Sequence, residues 1–128
     1  MAGAMKDRVI RSGSPDSSMD RVADFYGAYI DARLDQMDDL AERLRAYYLT
    51  EGLQRRLAVW EEANRADGVL RTPDSPIDWE VRYRETGVGL LFTDITLTWE
   101  NVDDVGHTRL AVQSDVGSKL ISDIRDAG

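Results

Sequence analysis

At 128 residues the chain is the size of one domain, and its lack of cysteine excludes disulfides, thiolate metal sites and cysteine nucleophiles. A net charge of −8, from 24 acidic and 16 basic residues, repels phosphate backbones and anionic headgroups, so no nucleic-acid partner is expected. No apolar run approaches the ~18 residues needed to cross a membrane, and no apolar signal-peptide core stands near the start, so no membrane insertion is expected either.

Residues 1–18 read as a disordered leader and linker, of which 11–18 are small and polar with Pro15 among serines, and 19–128 as a single α+β domain. Two readings of that linker stay open: a tether to a removed export signal or anchor, or a frayed start.

Ser17 is placed to cap the first helix, with Asp20 complementing the exposed N–H groups of its first turn. Val22, Phe25, Tyr26, Tyr29, Ile30 and Leu34 then recur at helical spacing, while Arg21, Asp24, Asp31 and Asp35 fall largely on the wet side. Asp39 and Glu42 have the spacing of a capping box, opening a second helix with Leu40, Leu44, Tyr47 and Tyr48 as its apolar face. Thr50 is expected to cap a third, buried along Leu53, Leu57 and Trp60, and Asp67-Gly68 to end it through a left-handed glycine.

Pro73 and Pro76 forbid regular structure between Arg71 and Pro76, and beyond them the period changes from about four to two. Trp79, Val81 and Tyr83 alternate with charged residues, which predicts a half-buried strand. Gly87 and Gly89 mark a turn or bulge. Leu91 to Trp99 is a long second strand, with Leu91, Ile95, Leu97 and Trp99 on one face and Asp94, Thr96 and Thr98 on the other. A polar turn is expected over Asn101–Gly106, a third strand through Thr108, Leu110 and Val112, and a fourth over Ser118–Arg125. Short links make the strands antiparallel. The expected fold is α+β: three helices packed in the concave face of a curved sheet of about four strands, like a cone.

Three stretches carry a family resemblance. Ala23–Ala32 is similar to the opening helix, with its aromatic pair, of the nuclear transport factor two-like superfamily, the cystatin-like cone shared with ketosteroid isomerase and polyketide cyclases. Ala66–Pro76 resembles the acidic, proline-bearing segment after the third helix in a group of small uncharacterised exported bacterial proteins. Gly117–Arg125 resembles the closing strand, although the tryptophan usual near Lys119 and Leu120 is missing. The resemblance implies a cone open at one end and a bacterial protein, exported or set in the cell envelope or else cytoplasmic. It transfers no catalytic residue to this chain.

The chemistry has few candidates. His107 is the only histidine, so multi-histidine metal sites are excluded; a Ser-His-Asp triad would need it, and no Gly-x-Ser-x-Gly elbow is present. Asp94 lies mid-strand: turned into the cone it would be a general acid or base, turned outward a surface group paired with Arg82 or Arg84, and the alternation places it outward. Tyr26, Tyr29, Trp60, Tyr83 and Trp99 have two readings, as the lining of a ligand pocket or as core. Asp38-Asp39 and Asp103-Asp104 lack the alternating acidic series of a calcium loop, and Gly87-Val88-Gly89 lacks the third glycine of a dinucleotide site.

The expected function is a non-catalytic module for a small hydrophobic ligand or a protein partner, without cofactor or metal. A homodimer through the outer sheet face is compatible with it. The alternative is an isomerase- or cyclase-like enzyme moving a proton on a small hydrophobic substrate with Asp94 or a tyrosine.

Overall fold

The computed structural model describes residues 18–71, 76–100 and 103–127. The expected leader except its last residue, the Ser17 cap, and Pro73 and Asn101 lie outside the described residues; that last residue, Ser18, opens the first helix. Three helices come first: α1 (Ser18–Leu34), α2 (Asp38–Tyr48) and α3 (Glu51–Asn64). A four-stranded antiparallel sheet follows, β1 (Asp78–Gly87), β2 (Leu90–Glu100), β3 (Val105–Asp115) and β4 (Ile121–Asp126), in that spatial order. Helix α1 packs on β1 and β2, α3 packs on β4, and α2 lies against α1. No described helix is long and apolar enough to cross a membrane.

The stripe on α1 is the centre of the core. Val22, Phe25, Tyr26, Tyr29 and Ile30 are all buried, and Phe25 packs edge-on to Tyr26 at 5.3 Å between ring centres. Leu34, assigned to the same stripe, is 51% exposed; Ala32 is the last buried residue before the chain reverses over Asp35–Met37. The capping box at Asp39 is not formed. The N-cap of α2 lies two residues earlier, at Met37, which offers no side-chain cap, and Asp38 instead meets the helix dipole and accepts from Arg33 at 3.1 Å. Of the paired tyrosines only Tyr48 reaches Phe25, at 5.4 Å; Tyr47, one residue round the helix, is 63% exposed under the Arg21 guanidinium.

Thr50 caps α3 as its sequence predicts, its Oγ1 accepting from the Leu53 N–H at 3.1 Å, and Leu53 and Leu57 are buried. The left-handed residue at the far end is Arg65 (φ 53°), not Gly68. Gly68 is needed for a close approach: a Cβ there would stand 3.0 Å from Leu57 Cδ2 and 3.2 Å from Glu61 Cγ.

In the sheet, Trp79 pairs with Leu97, Val81 with Ile95, and Ile95 in turn with Leu110. This sets Leu91, Thr93, Ile95, Leu97, Leu110, Val112 and Ser114 on the helix-facing side, all buried. Two of these are polar: the Thr93 and Ser114 hydroxyls have no hydrogen-bond partner among the described residues. Val88 (φ 54°) and Gly89 (φ 76°) form the two-residue turn from β1 to β2, both left-handed as the twist of a tight hairpin requires. A bulge near Arg84 shifts the β1 register.

Gly106, expected in the polar turn, belongs to β3 and pairs with Trp99. Its missing side chain lets the Trp99 ring lie across β3, where Nε1–H donates to Thr108 Oγ1 at 3.1 Å. The last strand starts at Ile121 rather than Ser118. Asp115 instead builds a turn that accepts from the Ser118 N–H at 2.9 Å, and Lys119 there is left-handed (φ 65°). The free edge of β4 is covered from the helical half: Thr50 N–H donates to Ile121 O at 2.9 Å, Arg56 to Ser122 O at 2.6 Å and Arg71 to Ile124 O at 2.8 Å.

Candidate functional site

A polar cleft opens on the helical side of the molecule, about 520 Å³ in volume and lined by Tyr29, Arg33, Arg45, Glu61 and Asp67 together with Asp38, Ala41, Glu42, Arg65 and Ala66. Apart from Tyr29, in the second half of α1, its inner groups stand in the last turn of a helix or just beyond it. Tyr29 is the last aromatic residue of the α1 stripe, Arg45 lies in the last turn of α2, and Glu61 in the last turn of α3. Asp67 follows α3, and its Oδ1 accepts from the Val69 and Leu70 N–H groups at 2.8 and 3.2 Å, which fixes the carboxylate in place.

Arg45 is the centre of the cleft. Its guanidinium donates to the Tyr29 hydroxyl from two nitrogens, at 3.1 and 2.9 Å, to Glu61 Oε1 at 3.1 Å and to Asp67 Oδ1 at 3.3 Å. The second Glu61 oxygen accepts from the same guanidinium and from the Gly68 N–H at 2.7 Å. Tyr29 in turn donates to Asp67 Oδ2 at 2.5 Å. The side chains are largely shielded, with 19% of Arg45, 26% of Glu61 and 10% of Asp67 exposed. Arg33, further out, bridges Asp38 at 3.1 Å and Asp67 at 3.5 Å.

This environment moves Tyr29, Arg45 and Glu61 away from exchange at neutral pH. Burial, with the Asp67 charge added, pushes the Tyr29 phenol well above its usual value, and Tyr26 likewise. Burial alone would raise Glu61, but the Arg45 hydrogen bond and the Gly68 N–H outweigh it and hold the carboxyl below its ordinary value. Burial would lower Arg45, yet its bonds to Glu61 and Tyr29 and the Asp67 charge keep it raised. A proton shuttle at neutral pH needs a group that exchanges near 7, and these shifts run the other way. Among the described residues no group of three or more acidic or histidine side chains is arranged to hold a metal ion.

The five aromatic candidates do not share one wall. Tyr29 lines the cleft. Tyr26 is fully buried beneath it, its hydroxyl donating to Val69 O at 3.2 Å. Trp60 is half-buried on α3 with the Arg71 guanidinium stacked 4.4 Å above its ring. Tyr83 stands at the exposed end of β1, 51% exposed and bonded to Thr86, and Trp99 lies over Gly106. Asp94 faces away from the helices and takes a forked contact from Arg84, with nitrogen–oxygen distances of 3.1 to 3.3 Å. His107 shares that outer face, 3.2 Å from Thr98 Oγ1. Where the helices meet the sheet, side chains of Phe25, Tyr26, Ile95, Leu97 and Leu110 fill the space.

Arg45, Glu61 and Asp67 are not among the site residues expected from the sequence, where Asp67 serves only to end the third helix. Arg45 carries one usable signal, a charged residue between Leu44 and the Tyr47-Tyr48 pair on an otherwise apolar helix face.

No family model matches this chain, and no curated protein matches it. Among solved structures it is similar to a protein of unknown function from Bacteroides thetaiotaomicron VPI-5482, at 18% identity and a TM-score of 0.65, with 96% of each chain covered. At that identity the likeness concerns the fold.

Proposed function

We propose that this protein is a non-catalytic binding module of the nuclear transport factor two-like kind, with its site in the cleft between the helix ends. The observation that supports it most is the Arg45 cluster: a shielded, fixed set of charges around the Tyr29 hydroxyl opens onto about 520 Å³ of space, and Tyr29, Arg45 and Glu61 are shifted away from proton exchange at neutral pH. Such a site orients a polar ligand without transforming it. This favours a polar guest over the hydrophobic one expected from the aromatic residues, because the apolar interior is occupied by the chain's own side chains.

The test is a small-molecule screen followed by amide chemical shifts on the intact chain. Binders are expected to shift Tyr29, Arg45, Glu61 and Asp67 and to be recovered unchanged. Binders that shift only residues elsewhere, or that are converted on incubation, would overturn the reading.

A homodimer through the outer sheet face remains compatible with it. Arg82, Arg84 and Arg109 stand there beside Glu80 and Asp94, a mixture of signs that a two-fold axis can match to itself. Sedimentation showing only monomer at tens of micromolar would remove the dimer and leave the cleft untouched.

A further inference from the structure

We infer that the cleft takes a small dipolar molecule, with a cationic amine at one end and a carboxylate at the other; this rests on the cleft being the binding site. The inner groups are already engaged, since Arg45, Glu61, Asp67 and Tyr29 bond one another and Arg33 holds Asp38. Two charged lining residues have side chains without a hydrogen bond or ion pair among the described residues, Glu42 and Arg65. They differ in sign and stand on different walls, Glu42 on α2 and Arg65 at the end of α3. Both line the same cleft, and no ion pair joins them.

Both positions are anchored on rigid elements. Glu42 is in the first half of α2, one turn after Asp38, so that wall carries two carboxylates. Arg65 is the C-cap of α3, held left-handed with its N–H donating to Glu61 O at 2.7 Å. The charge balance of the lining points the same way. Its carboxylates are Asp38, Glu42, Glu61 and Asp67, and its guanidiniums Arg33, Arg45 and Arg65. A simple anion would meet the four carboxylates and a simple cation the three guanidiniums, whereas a dipolar guest sets each end against its opposite. The two free side chains are exposed, so each contributes modestly and affinity is expected on the order of millimolar.

The probe is glycylglycine, titrated into the isotope-labelled chain beside ethylamine and acetate, each of which carries one end only. Saturable shifts along α2 and at the end of α3 are expected for glycylglycine. They should be at least about threefold weaker in Glu42→Gln and in Arg65→Gln, whose dispersed amide spectra confirm folding. Glycylglycine that gives no saturable shift, or binds both variants as it binds the unmodified chain, overturns the inference. Ethylamine or acetate saturating the cleft as tightly as the dipeptide overturns the dipolar assignment yet leaves the cleft a binding site. Silence from all three at the cleft, with screened binders mapping elsewhere, removes both.

Discussion

Arginine–carboxylate pairs stand on both sides of this molecule, and they are not equivalent. On the outer face of the sheet, Arg84 grips Asp94 through a forked contact with half of the arginine side chain and a third of the aspartate in water. On the helical side, Arg45 is four-fifths shielded and serves Glu61, Asp67 and Tyr29 together, joining three helices and the turn after α3. Water competes for the first pair and hardly reaches the second. The same chemistry is therefore a minor surface contact in one place and a cross-brace in the other.

Removing the centre of the brace has the largest expected effect. Arg45→Met strips Glu61 and Asp67 of their shared partner while both stay partly buried, and should cost about 2–3 kcal/mol in urea unfolding at neutral pH. A loss under about 0.5 kcal/mol would put the cluster on a par with the outer pair.

Acid sharpens the contrast. The Glu61 carboxyl titrates lower in the folded chain than in the unfolded one, so the stability it contributes is complete above the unfolded value, about 4.3. It is lost as pH falls below that value and through the folded one. Glu61→Gln should flatten the stability profile in that window, and identical profiles for variant and parent would contradict it.

The helix-facing side of the sheet also carries hydroxyls without a partner among the described residues. Thr93 is 1% exposed and its hydroxyl has no partner among the described residues, so Thr93→Val should raise stability by about 1 kcal/mol. A destabilised variant would mean that the hydroxyl is engaged after all. Smallest of all is the outer pair: Asp94→Asn is expected to shift stability by no more than about 0.5 kcal/mol and to leave binding at the cleft unchanged. A larger loss would erase the distinction between the two faces.

Much of the fold could be read from the chain. The α1 stripe through Tyr29 and Ile30, the Thr50 cap and the inward faces of Trp79, Ile95 and Leu97 all depend on neighbours within about a turn or on strict alternation. The readings that failed were those in which local rules compete. Asp39 had the capping-box spacing, but the helix started at Asp38, where Arg33 supplied a partner from another helix. Gly68 suited a left-handed position, yet Arg65 took that conformation and the glycine was needed for its lack of a Cβ beside Leu57. Gly106 looked like part of a turn because the indole that lies over it comes from the neighbouring strand.

By itself the sequence determined the order of helices and strands and which face of each strand is apolar, because periodicity is written in residues three, four or two apart. The outward Asp94 and its pairing with an arginine of β1 were legible too, but only the tertiary structure decided which charges meet in the cleft. Tyr29 and Arg45 are separated by 16 residues, Arg45 and Asp67 by 22, and Tyr29 and Asp67 by 38. Their convergence depends on where α1, α2 and α3 end once their apolar faces are packed, and no local pattern in the chain encodes that.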